Sequence, residues 1–368
     1  MLSVVVSFIT AFFATLFIIK LSRNMKNMLD HDLASVQKIH ARPVPRIGGL
    51  AIYAATFTGT AITFWRTPEV GAWVFLLVLC ASLAFGCGIV EDFTKQVSAF
   101  RRLLLTMISV VIGYYVMDAK IVRIDIPLVD AWLKYAWIAL PLTVLAVSGI
   151  ANAINIIDGF NGLASVVSIF MLLSMAYVAF LVGDFHVMAA CLILIGAIAG
   201  FFVWNYPNGL IFLGDGGAYF IGFMLGELAV LLVVRNKDVS AWYAVLLMIY
   251  PVFETIFSIY RRKFIRGVSP GLPDGIHLHM LVFKRLVRWT IGKRDAHALT
   301  RRNSLTAPYL WLLSLTAVIP ATLFWHYQWV LVAFSLLFIV TYVWLYTQIV
   351  RFKSPQWMIL RQRLRKKK

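Results

Sequence analysis

Charged residues and cysteine are both scarce in this sequence. Asp, Glu, Lys and Arg make up 14% of the 368 residues, whereas soluble domains contain about 25%. The three cysteines, Cys80, Cys87 and Cys191, lie in apolar stretches without a C-x-x-C pair, which argues against a disulfide framework or a cysteine metal site. Walker A and G-x-G-x-x-G spacings are also missing, so ATP- and NAD-dependent chemistry is disfavoured.

Apolar residues dominate instead. Hydrophobic residues reach 61% and the mean hydropathy is +0.84. A membrane-spanning helix needs about 20 mainly apolar residues, and such stretches recur along the chain. The sequence therefore predicts an all-α, polytopic integral membrane protein in which residues 1–368 form one domain. Its eleven predicted transmembrane helices cover approximately residues 2–20, 48–65, 72–90, 103–118, 133–150, 162–182, 185–204, 212–234, 241–260, 308–326 and 328–350.

Basic residues are distributed unequally between the predicted connections. Lys and Arg outnumber Asp and Glu by 34 to 16, and in a membrane protein such an excess marks the cytoplasmic side rather than nucleic-acid binding. One side holds 28 of the 34 basic residues and the other side six, which predicts an external N-terminus and a cytoplasmic C-terminus. The cytoplasmic segments are 20–46, 91–102, 151–161, 205–217, 261–302 and the basic tail 351–368. Residues 281–289 have one apolar and one basic face, which predicts a helix in the cytoplasmic interface.

Two acidic motifs lie at the cytoplasmic ends of predicted spans. Glu91 and Asp92 follow one span and precede Lys95, and Asp215 lies in a glycine-rich turn before another span. Carboxylates at such positions can hold a divalent cation, and lysine can meet a phosphate. Each motif also has a purely structural interpretation, as a helix-end charge pair and as an N-cap aspartate.

A third motif repeats polar residues at a regular spacing. Asn152, Asn155 and Asp158 recur every three residues and so share a broad helix face, before Gly159 and Gly162. Glycines permit a tight turn and the close approach of a ligand. A turn that satisfies its own backbone is the alternative, but the regular spacing favours a function.

A fourth motif lies in the most basic connection. Asp274, His277 and His279 stand near several arginines, a combination suited to a sugar diphosphate. No further ligands stand at the usual spacing of a zinc site, and surface histidines without a function are the alternative. All four motifs fall on the predicted cytoplasmic side, which indicates one shared site.

The ordered motifs resemble the polyprenyl-phosphate N-acetylhexosamine-1-phosphate transferases from about Lys38 to His279. The resemblance is carried by Pro43-Val-Pro-Arg-Ile-Gly48-Gly49, Glu91-Asp92, Asn152-x-x-Asn155-x-x-Asp158-Gly159-x-x-Gly162, Phe212-x-Gly214-Asp215 and His277-x-His279. Three positions depart from the family pattern. Glu91 and Asn161 stand where the family usually has aspartate, and Met280 stands where it commonly has histidine.

The resemblance implies transfer of an N-acetylhexosamine 1-phosphate from a UDP-sugar to undecaprenyl phosphate, with release of UMP and initiation of a lipid-linked surface polysaccharide such as O-antigen or capsule. It implies Mg²⁺ or Mn²⁺, with Asp215 as the leading ligand and Asp92 as a further ligand. Asp92 would also assist the lipid phosphate, either as a base or by orienting it, and Glu91 would support the metal or that pair. The expected catalytic residues are Glu91, Asp92 and Asp158. The expected substrate-binding residues are Lys95, Asn152, Asn155, Asn161, Arg266, His277 and His279.

The expected location is the bacterial inner membrane, among membrane lipids, with the active site on the cytoplasmic face. A homodimer is one of the open oligomeric states, and no nucleic-acid partner is expected. Asn161 and Met280 also bear on the sugar, because an apolar side chain tolerates a methyl group better than a hydroxyl. They favour a 6-deoxy donor, UDP-N-acetylfucosamine or UDP-N-acetylquinovosamine, over the alternative, UDP-N-acetylglucosamine.

A secondary transporter is the rival function. Glu227 and Glu254 lie within predicted spans, and carboxylates inside a membrane often mark ion pathways. Transport sites usually lie near the midplane between internal repeats. The polar motifs here lie at one edge of the membrane and no repeat is detectable, so catalysis is favoured.

Overall fold

A computed structural model describes residues 1–22, 44–268, 275–287 and 296–351. Within these ranges the chain is helical and contains no β-sheet, as lipid requires, because each spanning segment must satisfy its own backbone hydrogen bonds. The predicted all-α fold is confirmed. Residues 23–43 of the first predicted cytoplasmic connection, Asp274 and the basic tail after Arg351 lie outside the described ranges.

Fourteen α-helices occur in the described part of the chain. They are α1 (Leu2–Ser22), α2 (Gly48–Arg66), α3 (Pro68–Thr94), α4 (Ala99–Val116), α5 (Pro127–Leu133), α6 (Ala136–Ile157), α7 (Leu163–Leu181), α8 (Phe185–Asn205), α9 (Gly214–Arg235), α10 (Ala241–Leu247), α11 (Ile249–Tyr260), α12 (Leu278–Leu281), α13 (Ala296–Leu323) and α14 (Gln328–Val350). Two π-helical segments, Arg261–Ile265 and Val282–Leu286, continue α11 and α12.

The lengths and composition of these helices identify a multi-pass membrane protein. Among the described residues, nine helices are long and apolar enough to cross a membrane, and α10 with α11, bent by 69°, forms a tenth candidate. Helix α2 coincides with the predicted second span but is not one of the nine, and its four threonines make it less apolar. Each of the eleven predicted spans coincides with a helix or with the bent pair. The number that cross and the orientation of the termini stay predictions.

Helix α9 lies at the centre of the bundle. Of its 22 residues, 19 are buried, and it contacts α2, α3 and α6. A Cβ atom on Gly88 of α3 would lie 2.5 Å from the amide nitrogen of Gly216, and one on Gly49 of α2 would collide with Gly217. Small residues let helix backbones approach closely inside membranes. The first turn of α9 is therefore fixed against the cytoplasmic ends of α2 and α3.

The predicted interfacial helix over residues 281–289 was expected to turn its apolar face to the lipid, and this expectation is wrong. Val282, Phe283, Leu286 and Val287 are at most 6% exposed, and the π-helical segment contacts α13 and α14. The apolar face therefore packs against protein. The amphipathic pattern is the same for either partner, so the sequence alone does not distinguish a bilayer from a neighbouring helix.

A charged cap closes the bundle at the end opposite the predicted cytoplasmic side. Asp184 precedes α8, accepts the amide of Val187 at 3.2 Å and pairs with Nε of Arg235 at 2.7 Å. Burial raises the pKa of Asp184, but the hydrogen bonds and charge of Arg235 outweigh it and leave the pKa below its ordinary value. This cap connects α8 to the end of α9 and lies far along α8 from the acidic motifs.

Candidate active site

Two aspartates bind the first turn of α9. The amides at a helix N-terminus lack partners within the helix and attract negative charge. Asp92, at the end of α3, accepts the amide of Asp215 at 2.8 Å through Oδ1 and the amide of Gly216 at 2.9 Å through Oδ2. Asp158, immediately after α6, accepts the amide of Gly214. Three successive amides of α9 are therefore capped by carboxylates from two other helices.

Gly214 allows these carboxylates to approach. Its φ of +76° lies in the left-handed region, which glycine adopts at little cost. A Cβ atom here would collide with the carbonyl oxygen of Arg46 and lie 2.6 Å from Oδ2 of Asp92. The glycine in the Gly214-Asp215 motif is thus required by both its conformation and its neighbours.

Asp158 combines burial with nearby positive charge. Burial raises its pKa to about 7, and the charge of Arg46 and the hydrogen bond from Gly214 oppose that rise. A carboxyl group with this pKa exchanges its proton near neutral pH. Perturbed groups of this kind concentrate at functional sites.

The side chain of Asp215 is surrounded by donors. Its Oδ2 pairs with Nη1 of Arg102, and its Oδ1 lies 3.7 Å from Nη2 of Arg46 and 3.0 Å from Nδ2 of Asn155. The guanidinium of Arg102 also lies 5.9 Å from the centre of the Tyr219 ring. Asp215 is only 7% exposed, and the positive charge of Arg102 neutralises this buried carboxylate.

Arg46 and Arg102 are site residues that the sequence analysis did not identify. Arg102 entered it only as one of the basic residues that set the topology. Arg46 lies within the first motif of the family resemblance, and that membership was the available signal. Its position follows from backbone pairing, because Phe212 donates to the carbonyl of Pro45 at 2.8 Å and Gly48 donates to the carbonyl of Phe212 at 2.9 Å. These bonds bring the Arg46 segment to the start of α9.

Glu91 and Lys95 lie beside this cluster. Glu91 accepts the amide of Val97 at 2.6 Å, so its carboxylate closes the turn after α3 rather than binding α9. Lys95 follows the last residue of α3 and has a left-handed conformation with a φ of 57°, and its positive charge lowers the pKa of Asp92 against the larger, raising effect of burial. The acidic pair is therefore divided between two local roles.

The polar face of α6 contacts α9. Besides the bond from Asn155 to Asp215, Oδ1 of Asn152 lies 3.4 Å from the hydroxyl of Tyr219. Asn161 lies apart from this face. Its amide side chain donates to the carbonyl of Pro207 at 3.0 Å, and its backbone amide binds Asn303 at 2.8 Å.

Asn205 is a second buried amide that the sequence analysis missed. Its Oδ1 accepts the amide of Gly162 at 2.6 Å, and its Nδ2 donates to the carbonyl of Ile211 at 2.7 Å. It therefore joins the loop after α6 to the loop before α9. An isolated asparagine at the end of an apolar helix carries no distinguishing pattern, so no sequence signal identified it.

The histidine motif approaches the loop after Asp158. The rings of His277 and His279 stack with centres 5.1 Å apart, and His279 contacts Phe160 edge-on. A Cβ atom on Gly159 would lie 3.8 Å from Nε2 of His279. His279 thus lies against the two residues that follow Asp158, and His277 lies behind it. Arg266 is exposed at the end of the π-helical segment after α11.

The two membrane carboxylates lie in different surroundings. Glu227 on α9 is fully buried, and neither of its carboxylate oxygens has a hydrogen-bond partner within the described chain. Glu254 on α11 is 1% exposed and accepts three hydrogen bonds, one of them from His277. Only Glu254 is connected to the candidate site.

The segment that carries the three aspartates is similar to known transferases. The family model described as Glycosyl transferase family 4 matches residues 74–233, which include Asp92, Asp158 and Asp215. A probable undecaprenyl-phosphate N-acetylglucosaminyl 1-phosphate transferase of Bacillus subtilis is 29% identical over 328 residues, 87% of this chain and 85% of the relative.

Two further relatives extend the comparison. An undecaprenyl-phosphate alpha-N-acetylglucosaminyl 1-phosphate transferase of Thermotoga maritima is 26% identical, over 70% of this chain and 74% of its own length. A phospho-N-acetylmuramoyl-pentapeptide-transferase of Bacillus mycoides is 30% identical, over 51% of this chain and 61% of its own length. The similarity thus includes relatives with two kinds of transferred sugar.

Proposed function

We propose that this chain is a polyprenyl-phosphate sugar-1-phosphate transferase that transfers an N-acetylhexosamine 1-phosphate from a UDP-sugar to undecaprenyl phosphate. The match of residues 74–233 to the Glycosyl transferase family 4 model and the similarity to the relatives named above support this proposal. The observation that carries this proposal is the convergence of Asp92, Asp158 and the Asp215–Arg102 pair at the start of α9. We place the reaction at the cytoplasmic face of a bacterial inner membrane, on the unequal distribution of basic residues.

The proposed reaction exchanges one phosphoanhydride bond, in the UDP-sugar, for another, in the lipid diphosphate sugar. An oxygen of the lipid phosphate attacks the phosphorus that bears the sugar, the bond from that phosphorus to the UMP oxygen breaks, and UMP leaves. The second pKa of a phosphate monoester is near 6, so the attacking oxygen is largely ionised at neutral pH. Arg46, Arg102 and Lys95 supply positive charge beside the carboxylates, and phosphoryl transfer depends chiefly on positioning and charge neutralisation.

We propose Mg²⁺ or Mn²⁺ as the cofactor. The described residues contain no group of three His, Cys, Asp or Glu side chains arranged to hold a metal. Mg²⁺ is usually bound by one or two carboxylates plus substrate phosphates, and the oxygen donors of Asp215, Asp92 and Asn155 match that chemistry. Asp215 and Asp92 would hold the cation, which supplies charge neutralisation to the transferred phosphoryl group. Arg102 pairs with the same carboxylate, so the cation and Arg102 would compete for Asp215.

His277 and His279 are proposed to bind the donor diphosphate next to Asp158. Within the donor class, we propose N-acetylglucosamine over a 6-deoxy sugar. Met280 is 3% exposed and packs in the hydrophobic core, so it offers no apolar surface to a sugar, and the side chain of Asn161 binds Pro207. Two of the relatives are also named for N-acetylglucosamine. The lipid-linked product would initiate a surface polysaccharide, O-antigen or capsule.

The transporter alternative receives no support from the geometry. Glu254 is held by three donors, and Glu227 is enclosed where α9 meets Gly113 of α4. Purified protein incubated with radiolabelled UDP-N-acetylglucosamine and undecaprenyl phosphate should yield labelled lipid and UMP, whereas Asp215→Asn protein should form both about a hundredfold more slowly. Donor flux into sealed vesicles without a lipid product would contradict the proposal. A higher kcat/KM for UDP-N-acetylfucosamine in a competition assay would overturn only the choice of sugar.

A further inference from the structure

A buried carboxylate outside the acidic cluster holds the histidine motif. Oε1 of Glu254 accepts the backbone amide of Leu278 at 2.9 Å and lies 3.0 Å from Nδ1 of His277. Its Oε2 accepts the hydroxyl of Tyr342 at 2.8 Å. Glu254 lies on α11 and Tyr342 lies on α14, and both are at most 1% exposed. The carboxylate therefore joins two membrane helices to the start of α12.

The bonding pattern defines which nitrogen of His277 carries a proton. An ionised carboxylate can only accept hydrogen bonds, so Nδ1 of His277 donates to Glu254. A carboxylate behind an imidazole fixes both its tautomer and its ring orientation.

A second set of contacts holds Ile276, the residue before His277. Nη1 of Arg261, in the π-helical segment after α11, donates to the carbonyl of Ile276 and contacts the hydroxyl of Tyr346. That hydroxyl also donates to the carbonyl of Ile276 at 3.3 Å. Residues 276–278 are therefore anchored before and after His277, so the position of its ring depends on α11 and α14.

A chain of contacts connects His277 to the loop that carries Asp158. Its ring stacks on His279 at an interplanar angle of 11°, and His279 lies against Gly159 and Phe160. Asp158 precedes Gly159 and binds the start of α9. One continuous line of contacts thus runs from Glu254 through both histidines to the loop that carries Asp158.

We propose that Glu254 and Tyr342 are positioning residues for donor binding, which fix His277, and through it His279, where the donor diphosphate binds. This inference rests on the proposed function, because it takes the UDP-sugar as the ligand of the histidines. It gives Glu254 a role in substrate orientation, in contrast to the ion pathway considered for it from the sequence.

The test compares two buried glutamates. Glu254→Gln keeps the size of the side chain but replaces one acceptor oxygen with an NH₂ group that faces a donor. Loss of the partner that orients a metal-bound histidine costs about 10- to 100-fold in metal affinity or activity, and we take the lower end for a histidine that binds a diphosphate. We expect KM for the UDP-sugar to rise about tenfold, with kcat and KM for undecaprenyl phosphate changed less than about threefold. Glu227→Gln makes the same substitution at a fully buried position outside this network and should leave all three constants unchanged.

Two further variants separate positioning from folding. Tyr342→Phe removes one of the three donors and should raise KM for the donor by about threefold, the smaller loss expected for one neutral hydrogen bond. If Glu254→Gln does not fold, the KM of Tyr342→Phe for the donor tests the inference instead. The double variant Glu254→Gln/His277→Gln should be no worse than His277→Gln, because residues that act through one another are not additive.

Several results would overturn the inference. These are equal KM values in Glu254→Gln and Glu227→Gln, a loss confined to kcat, or losses that multiply in the double variant. If Glu254→Gln does not fold, an unchanged KM in Tyr342→Phe has the same meaning. A wild-type protein that makes no lipid-linked sugar would instead refute the proposed function, and this inference with it.

Discussion

Replacing Asp92 with asparagine tests the central feature of the candidate site. Asp92 accepts the amides of Asp215 and Gly216 through separate oxygens at 2.8 and 2.9 Å. Asparagine has only one acceptor oxygen, and its NH₂ group would face an N–H donor. One hydrogen bond to a charged group contributes about 1.5–3 kcal/mol, and a negative charge at a helix N-terminus contributes about 0.3–1 kcal/mol. Asp92→Asn should therefore weaken the arrangement by about 2–4 kcal/mol.

This loss should appear in the reaction rate, because the amide of Asp215 positions the carboxylate that pairs with Arg102. A rate falls tenfold for each 1.36 kcal/mol added to the barrier, so kcat should fall about 30-fold or more. The assay is the rate of UMP release from a UDP-sugar at saturating undecaprenyl phosphate. The apparent unfolding temperature in detergent should fall as well.

Asp184→Asn is the matched control. Asp184 also caps a helix and pairs with an arginine, but it lies at the opposite end of the bundle. It should lower the apparent unfolding temperature while keeping kcat within about twofold, since its contacts do not reach the site. The reasoning is refuted if Asp92→Asn keeps kcat within threefold of wild type, or if Asp184→Asn loses as much kcat.

Three other predictions concern the cation, the pH dependence and the topology. Removal of divalent cations with a chelator should stop turnover and Mg²⁺ or Mn²⁺ should restore it, while Asp215→Asn should lose about a hundredfold in kcat; full activity in excess chelator would contradict this. Burial raises the pKa of Asp158 to about 7, so if its ionised form is active, kcat should fall on acidification below about pH 7, with no such limb in the residual activity of Asp158→Asn; a profile that is flat from about pH 6 to 8 would contradict it. A cysteine at Gln96 should react only from the cytoplasm and one at Asp118 only from outside, and the reverse pattern would invalidate the topology.

The acidic pair shows where sequence reasoning reached its limit. Glu91 and Asp92 are adjacent, and the sequence predicted a joint role for them. Successive residues on a helix point about 100° apart and do not face each other. In the structure, Asp92 accordingly binds α9 while Glu91 binds the amide of Val97. Which of two neighbouring carboxylates reaches the site depends on the rotation of α3 against α9, and that rotation is set by tertiary packing.

The sequence by itself determined the properties that depend on local composition and spacing. These are the apolar helices, the unequal distribution of basic residues, and the polar face of α6 that carries Asn152 and Asn155. Apolar length and a helical period can be read without knowledge of neighbours, because lipid imposes them on each segment separately.

Only the tertiary structure decided which side chains meet. The pairing of Arg102 with Asp215, the bond from Asn205 to Gly162, and the contact of Glu254 with His277 each join residues from different helices or loops. Glu227 and Glu254 are equivalent in the sequence, as single carboxylates in apolar segments, but one is without a hydrogen-bond partner in the described chain and the other accepts three hydrogen bonds. A buried charge is defined by its partners, and those partners are selected by helix packing rather than by spacing along the chain.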